Sequence, residues 1–487
     1  MENKRAAKNL SACLLLFLSA ACSGETVETV DEDLQKGRHL AASGNHLLKQ
    51  GQSRKALTAF RQAAALLPDN AEVLLRLGIA HAQLEEHEAA IAAFERALAL
   101  DLSSPTLFFA LGSSLHARQR YAEASQYIVR AIELAPQRPH YHFRLGIVYK
   151  SEGDFARARQ AFGATLNLNP NHVEALYLHS DLLARRDSLD AAENGFKRLL
   201  ELQPEYSGVR MGLGDVYLKR GHLEQAIEAL HQAIIQEPRN IDAHRLLAAA
   251  YERAGRSAEA EAELEKCRAL NEVEEYYKQG NLFIQRRKWK AAIAFLTRAI
   301  AADSTFVDAY LSLAKIHLQQ EDVGAAITLL HQVVTRVPQH PEGHYLLGLA
   351  QLQNGDAEAA HQSFTAVLQL DPNSALAFHG LGRALYARRR LDEAARAFEQ
   401  VVRRDPEHRD AYYFLGLVQR AQQHPDAAIE SLRECLAIDP TFADAYRALG
   451  LVLVQQESLD AAQKAFTKAV ELNPGDTQSQ EQLAQLK

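Results

Sequence analysis

Beyond residue 36, the pattern of apolar and polar positions repeats every 34 residues. Within most repeats, apolar or small side chains fall at places 4, 7, 8 and 11, and then at places 20, 24 and 27. Intervals of three and four mark one face of a helix, so each repeat predicts two amphipathic helices with one apolar stripe apiece. In Ala71 to Ser104, Leu74, Leu77 and Gly78 share the stripe of a first helix, and Ala90, Phe94 and Ala97 that of a second. Between them, Gly51, Gly153, Gly221, Gly255 and Gly355 hold place 15, where the first helix must stop and a residue tolerant of positive φ is wanted. Prolines at place 32, such as Pro136, Pro170, Pro204 and Pro238 and again Pro338 to Pro474, end the second helix.

Place 20 is alanine in all thirteen repeats, from Ala56 to Ala462. Place 8 is always small, as in Gly44, Gly78, Ser180, Ala248 and Gly450, and place 24 is Phe in seven repeats, including Phe60, Phe162 and Phe398, and aliphatic in six. Small residues facing a bulky one let two helix backbones approach closely. Small-at-8, Ala-at-20, Phe-at-24 and Pro-at-32 on this period resemble the tetratricopeptide repeat. The resemblance covers residues 37–476 and implies an all-α fold, a right-handed superhelix of about 13 helix-turn-helix units. It departs from the family pattern at place 4, where the family often has Trp and this chain has Leu40, Phe108, His142, Tyr276 or Tyr412. The sole tryptophan, Trp289, is at place 17, a packing position.

The seventh unit, residues 241–272, is two residues short, lacks its closing proline, and shows no Gly or Pro from Ser257 to Gln279. Either its second helix merges with the first helix of the eighth unit, or a short loop forms around Asn271. This divides the array into units 1–7 (residues 37–272) and 8–13 (residues 273–476). In the tail, 477–487, Leu483 and Leu486 form one apolar stripe among polar residues, as a terminal cap requires.

The opening of the chain follows another logic. Lys4, Arg5 and Lys8 precede a twelve-residue stretch, Leu10 to Ala21, too short for a spanning helix and followed by a polar turn. Residues 1–21 therefore predict a secretory signal. Ser19-Ala20-Ala21-Cys22 resembles the lipobox of bacterial lipoprotein signals, with Ser where the pattern prefers Leu. Leu10-Ser11-Ala12-Cys13 fits the letters better but precedes the apolar run, and plain cleavage after Ala21 is the alternative. The resemblance implies lipidation at Cys22, and Ser23 after it implies the outer membrane of a two-membrane bacterium, facing the periplasm. Residues 22–36, with five carboxylates against Lys36, predict an acidic, solvated tether.

Charge and chemistry narrow the function. Net charge is −7, and loss of residues 1–21 takes it to −9, which leaves no electrostatic footprint for nucleic acid. Cys267 and Cys435 both stand at place 27, five units apart, which predicts two buried free thiols and no bridge. His340 and His344 have ligand-like spacing but no third ligand, and His140 and His142 face apart, so no metal is expected. No HExxH, phosphate loop or Gly-x-Ser-x-Gly occurs in the array. Enzymes built on such repeats append a catalytic domain, and the thirteen units leave little chain for one. The expectation is no catalysis and no cofactor.

In the resembled family, first helices line a concave groove, which places 2, 5, 9, 12 and 13 face. Here place 5 carries Phe109, Phe143, Tyr177, Tyr277, Tyr345 and Tyr413, and places 12 and 13 carry Lys150, Arg185, Lys219 and Arg253. Place 2 is often acidic. Rings among such donors could grip an extended peptide or stack on a polysaccharide, or place 5 could simply pack against the neighbouring unit. The carboxylate clamp of chaperone-binding members, Lys at place 5 with Asn at place 9, is not matched. The expected function is a periplasmic scaffold for proteins, held by lipid to the outer membrane and serving an envelope or export machine. The alternative is a direct receptor for a polysaccharide or peptide chain.

Overall fold

In the computed structural model, residues 25–186 and 188–486 are described, and the expected signal and Cys22 lie outside them. The described residues form 26 helices and no strand. Within each repeat outside that of Val209–Arg220, the first and second helices pack against one another, as their two apolar stripes allow. By its contacts the chain forms two compact units, one ending at Val216 and the other beginning at Tyr217.

Each repeat is built by the same local devices. Place 34 caps the next first helix: Asn70, Ser104, His172, Asn240, His340, Ser374, His408 and Asp476 each accept the backbone N–H three residues on. Place 4 closes the turn just before, since the Nε2 of His142, His244 and His344 meets the carbonyls of Pro136, Pro238 and Pro338 at 2.8, 3.0 and 2.8 Å. Arg210 and Gln480 donate in the same way to Pro204 and Pro474. A polar ladder joins neighbours thirty residues apart, pairing Glu88 with Arg118, Glu358 with Arg388, Asp392 with Gln422 and Asp426 with Gln456.

Place 15 is left-handed in every repeat where it is described, whether glycine (Gly51, Gly153, Gly221, Gly255, Gly355) or not (Glu85, Gln119, Arg287, Glu321, Arg389, Gln423, Glu457). The turn geometry thus overrides residue preference at seven positions. Arg389 is exposed at φ 60°, so Arg389→Gly should stabilise the protein by about 1 kcal/mol. Gly153→Ala, where a Cβ would meet nothing within 4 Å, should cost about as much. Denaturant melts of both variants check the pair, and equal effects of one sign would contradict the backbone explanation.

The cores repeat with the same period. Phe60, Phe94, Phe162, Phe364, Phe398 and Phe466 are fully buried beside the place-20 alanines. Trp289 is half-buried against the cluster containing Val273, Ala292 and Leu296. Cys267 and Cys435 are buried and free, and burial pushes the Cys435 thiol up to about 12. Leu483 packs, with Leu486, against the cluster holding Phe466. Gln480, Leu483 and Ala484 occupy places 4, 7 and 8 of a truncated fourteenth first helix, Thr477–Gln485.

Two expectations change. Where a solvated tether is expected over residues 22–36, the described part belongs to one helix, Glu25–Lys49, and Leu34 packs with Ala63, Leu67 and Val73. Val27, Val30 and Leu34 stand three and four apart in the sequence, a helical stripe set among carboxylates, and Glu32, Asp33, Gln35 and Lys36 are exposed. The second change concerns the division at residue 272. Ser257–Gln285 is a single helix of 29 residues, so repeats 7 and 8 share a rod, and the compact units part upstream, between Val216 and Tyr217.

Candidate functional site

Within each unit, several first helices of consecutive repeats touch one another directly, as Ala71–Gln83 does Pro105–Ala117 and Pro341–Gln353 does Ala375–Ala387. No pair of second helices does so to the same extent. First helices therefore lie on the inside of each stack, which makes their outward stripe the face with the most continuous surface to offer.

The six aromatic residues at place 5 are all half-buried on this face. Most do not stand alone. In the first unit, Phe143 lies 4.6 Å from the His172 ring, and Tyr177 lies 5.4 Å from Tyr206. Phe109 stacks on Tyr141 at 4.6 Å. In the second unit, Tyr277 meets Phe306 edge-on at 5.0 Å and Tyr413 meets Phe442 at 5.1 Å, while Tyr345 packs on Phe364. The partners His172, Tyr206, Phe306 and Phe442 all belong to place 34 of the same repeat. His379 and His408 make the same pair at 4.9 Å, and Arg447 and Asp476 replace it with an ion pair at 3.2 Å. The signal was in the sequence, as rings 29 residues apart, but place 34 reads as a loop position until the turn is seen to fold it back over place 5. Burial first, then the neighbouring His408 and Arg383, push the His379 imidazole down to about 4.

The four cations are exposed. In the first unit, Arg185 is paired with Asp181 on its own helix at 2.9 Å. In the second, Arg253 donates to the carbonyl of Leu218. Lys150 and Lys219 lie at the ends of first helices, far along them from the rings. The cations lie at or just beyond the C-terminal ends of first helices and the rings near their starts, so the two sets do not converge on one point.

The candidate histidines are occupied by the fold. His340 Nδ1 accepts the N–H of Gly343, and His344 meets the Pro338 carbonyl. No helix among the described residues is long and apolar enough to cross a membrane.

The fused helix creates a feature with no counterpart in the repeat pattern. Where the missing turn would lie, Arg239, Asp242, Arg245, Cys267, Asn271 and Glu274 line a cleft of about 490 Å3. Arg239 reaches across 64 residues to pair with Asp303 and lies 4.0 Å over the ring of Phe306.

Comparison with known proteins bears on this architecture directly. A family model described as tetratricopeptide repeat matches residues 42–105, 83–139, 143–207, 277–330, 311–375 and 379–441, well over half of the chain. The chain belongs to the tetratricopeptide repeat family. A second model, described as TPR repeat, matches 214–255, and a third, again tetratricopeptide repeat, matches 183–233 and 419–486. Tetratricopeptide arrays are in general non-catalytic scaffolds for proteins or peptides. No curated protein matches the chain. Among solved structures, the chain is similar to the APC/C hetero-tetramer Cut9-Hcn1, with 15% identity over 93% of this chain and 96% of that one and a TM-score of 0.42. It is also similar to MamA 41-end from Desulfovibrio magneticus RS-1 (26% identity, 35% and 96% covered, TM-score 0.33). A third likeness is to YrrB, titled a TPR protein with an unusual peptide-binding site (21%, 46% and 98% covered, TM-score 0.32).

Proposed function

We propose that this protein is a non-catalytic scaffold that gathers other proteins by binding their extended segments along the first-helix faces of its repeats. The observation that carries this reading is the set of ring pairs at places 5 and 34, found in repeats 4 and 5 of the first unit and in repeats 8, 11 and 12 of the second. Each pair is held by packing and keeps one surface open, so contact area is offered at little cost in side-chain entropy. An extended chain can meet successive pairs, whereas a small substrate meets one.

The setting we propose is the periplasm. The signal-like residues 1–21 and the lipobox-like Ser19-Ala20-Ala21-Cys22 support a lipoprotein held at the outer membrane, serving assembly of an envelope or export machine. Mass analysis of the mature N-terminus tests the anchor. A chain starting at an acylated Cys22 is expected, and an unmodified start at Cys22 or an intact residue 1 would contradict it. Pull-down from solubilised membranes tests the role. A stable protein complex is expected, and retention on polysaccharide resin without any protein partner would favour a glycan receptor instead.

A further inference from the structure

The first-helix face of the first unit holds a cleft of about 390 Å3 between repeats 2, 3 and 4. Ile79, Ala82, Phe109 and Ala110 form its apolar walls, and no carboxylate lines it. Its size falls in the range that encloses a ligand group. Two polar atoms in the lining, His87 Nδ1 and Ser113 Oγ, are buried without a hydrogen-bond partner. Buried polar atoms in folded proteins are nearly all paired, so two orphans in one apolar cleft point to a ligand that pairs them.

The rim has a definite sign. Arg144 lines the cleft, is half-buried, and forms no ion pair with any described residue. Burial, and then the charge of Arg144, hold the neighbouring His116 imidazole below its usual range. Place 2, acidic in most repeats, is Thr106 and His140 in repeats 3 and 4, and Arg138 stands exposed just before the latter. A partner in this stretch meets a cation that the chain itself leaves uncompensated.

We propose that this cleft receives a bulky apolar side chain from an extended segment of a partner protein, and that an aspartate or glutamate side chain beside it in the partner pairs with Arg144. Ser113 and His87 then hydrogen-bond the partner's main chain. The proposal rests on the reading of the first-helix face as a binding surface for protein segments, and names the chemistry of the segment at one point along it.

The test is a library of random dodecapeptides displayed on phage and panned on the full chain, with selected peptides resynthesised as N-acetyl, C-amide forms. Their binding is read by fluorescence anisotropy against the unaltered chain, Arg144→Glu, Arg144→Gln and Ala110→Trp, each checked for an unchanged helical melt. The expected result is enrichment of Leu, Ile or Phe next to Asp or Glu. Arg144→Glu should weaken these peptides about tenfold or more, Arg144→Gln less, and panning on Arg144→Glu should remove the acidic preference. Ala110→Trp, which fills the cleft, should weaken them as strongly. Peptides that bind but ignore all three changes would overturn the proposal while leaving the groove reading in place. Loss of binding on amidation alone would assign the carboxylate to a chain terminus and overturn the side-chain assignment. Selection of no peptide anywhere on the chain would remove both this proposal and the reading beneath it.

Discussion

Gly146→Leu is expected to cost about 3 kcal/mol and to unfold repeat 4 before the rest of its unit. A Cβ on Gly146 would stand 2.5 Å from Cε1 of Phe162, which is fully buried and has no room to withdraw. The chain itself displays the rule. Alanine occurs at place 8 only in repeats 7 and 9, where place 24 is Leu264 or Leu330 rather than Phe. Ser180 faces Phe196, but there the neighbouring Gly195 supplies the space, since a Cβ on it would collide with the Ser180 hydroxyl. Gly146→Ala should therefore destabilise, and Phe162→Leu on that background should recover part of the loss, which a double-mutant cycle measures directly. Additive losses would mean that the two positions do not form the contact described. Because a repeat array is held mainly by neighbours, hydrogen exchange should show the damage concentrated in repeats 3 to 5.

A second large effect is expected within repeat 7, between its first helix and the long helix Ser257–Gln285. Glu263 and His244 are both buried, 6% and 4% exposed, and their side chains meet at 2.6 Å. The other carboxylate oxygen of Glu263 receives Lys266 at 2.7 Å, and the second ring nitrogen of His244 meets the Pro238 carbonyl. Glu263→Ala removes the partner of a buried polar ring and should cost about 3 kcal/mol. The effect also has a pH signature. Burial pushes the Glu263 carboxyl up, but Lys266 and His244 outweigh it and hold it below the usual carboxylate range. A carboxylate whose folded pKa is depressed stabilises the fold above its unfolded value, about 4.3, and loses that contribution as pH falls through the folded value. The stability gap between the unaltered protein and Glu263→Ala should thus be constant near neutrality and shrink below about pH 4. A gap that stays the same to about pH 3 would show that the carboxylate's charge contributes nothing.

These two sites also show how much the sequence exposes. The Gly146–Phe162 contact is legible without a structure, because it recurs with a fixed spacing and each copy repeats the same steric bargain. The helix Ser257–Gln285 is only half legible, since the run without Gly or Pro from Ser257 to Gln279 allows either a merged helix or a loop around Asn271, and the helix runs on through Gly280. The consequences of that helix are not legible. Its continuity brings Arg239 onto Phe306 and opens the cleft beside Asn271, contacts that skip a whole repeat and have no periodic signal. The candidate face was read in part. Phe143, Tyr177, Tyr277 and Tyr413 were identifiable by register, but the rings that hold them, His172, Tyr206, Phe306 and Phe442, sit in turns whose residue types vary among repeats. The cleft at Arg144 is not legible in the sequence, because it depends on what is missing around it, a carboxylate and two hydrogen-bond partners, and absence leaves no motif. The helix that begins at Glu25 leaves a trace in the sequence, since Val27, Val30 and Leu34 stand three and four apart, but that stripe is set among five carboxylates and reads as solvated chain.

On the function proposed, other proteins are held at the first-helix face of each stack. A photocrosslinking amino acid placed in the full-length chain in its native cells tests it most directly, at Lys150 and Lys219 on first helices and at Gln126 and Glu228 on exposed faces of second helices. The account predicts a discrete protein adduct from the first pair of positions, with crosslinked residues in an extended segment of the partner, and none from the second pair. Adducts formed at Gln126 or Glu228 but not at Lys150 or Lys219 would contradict it.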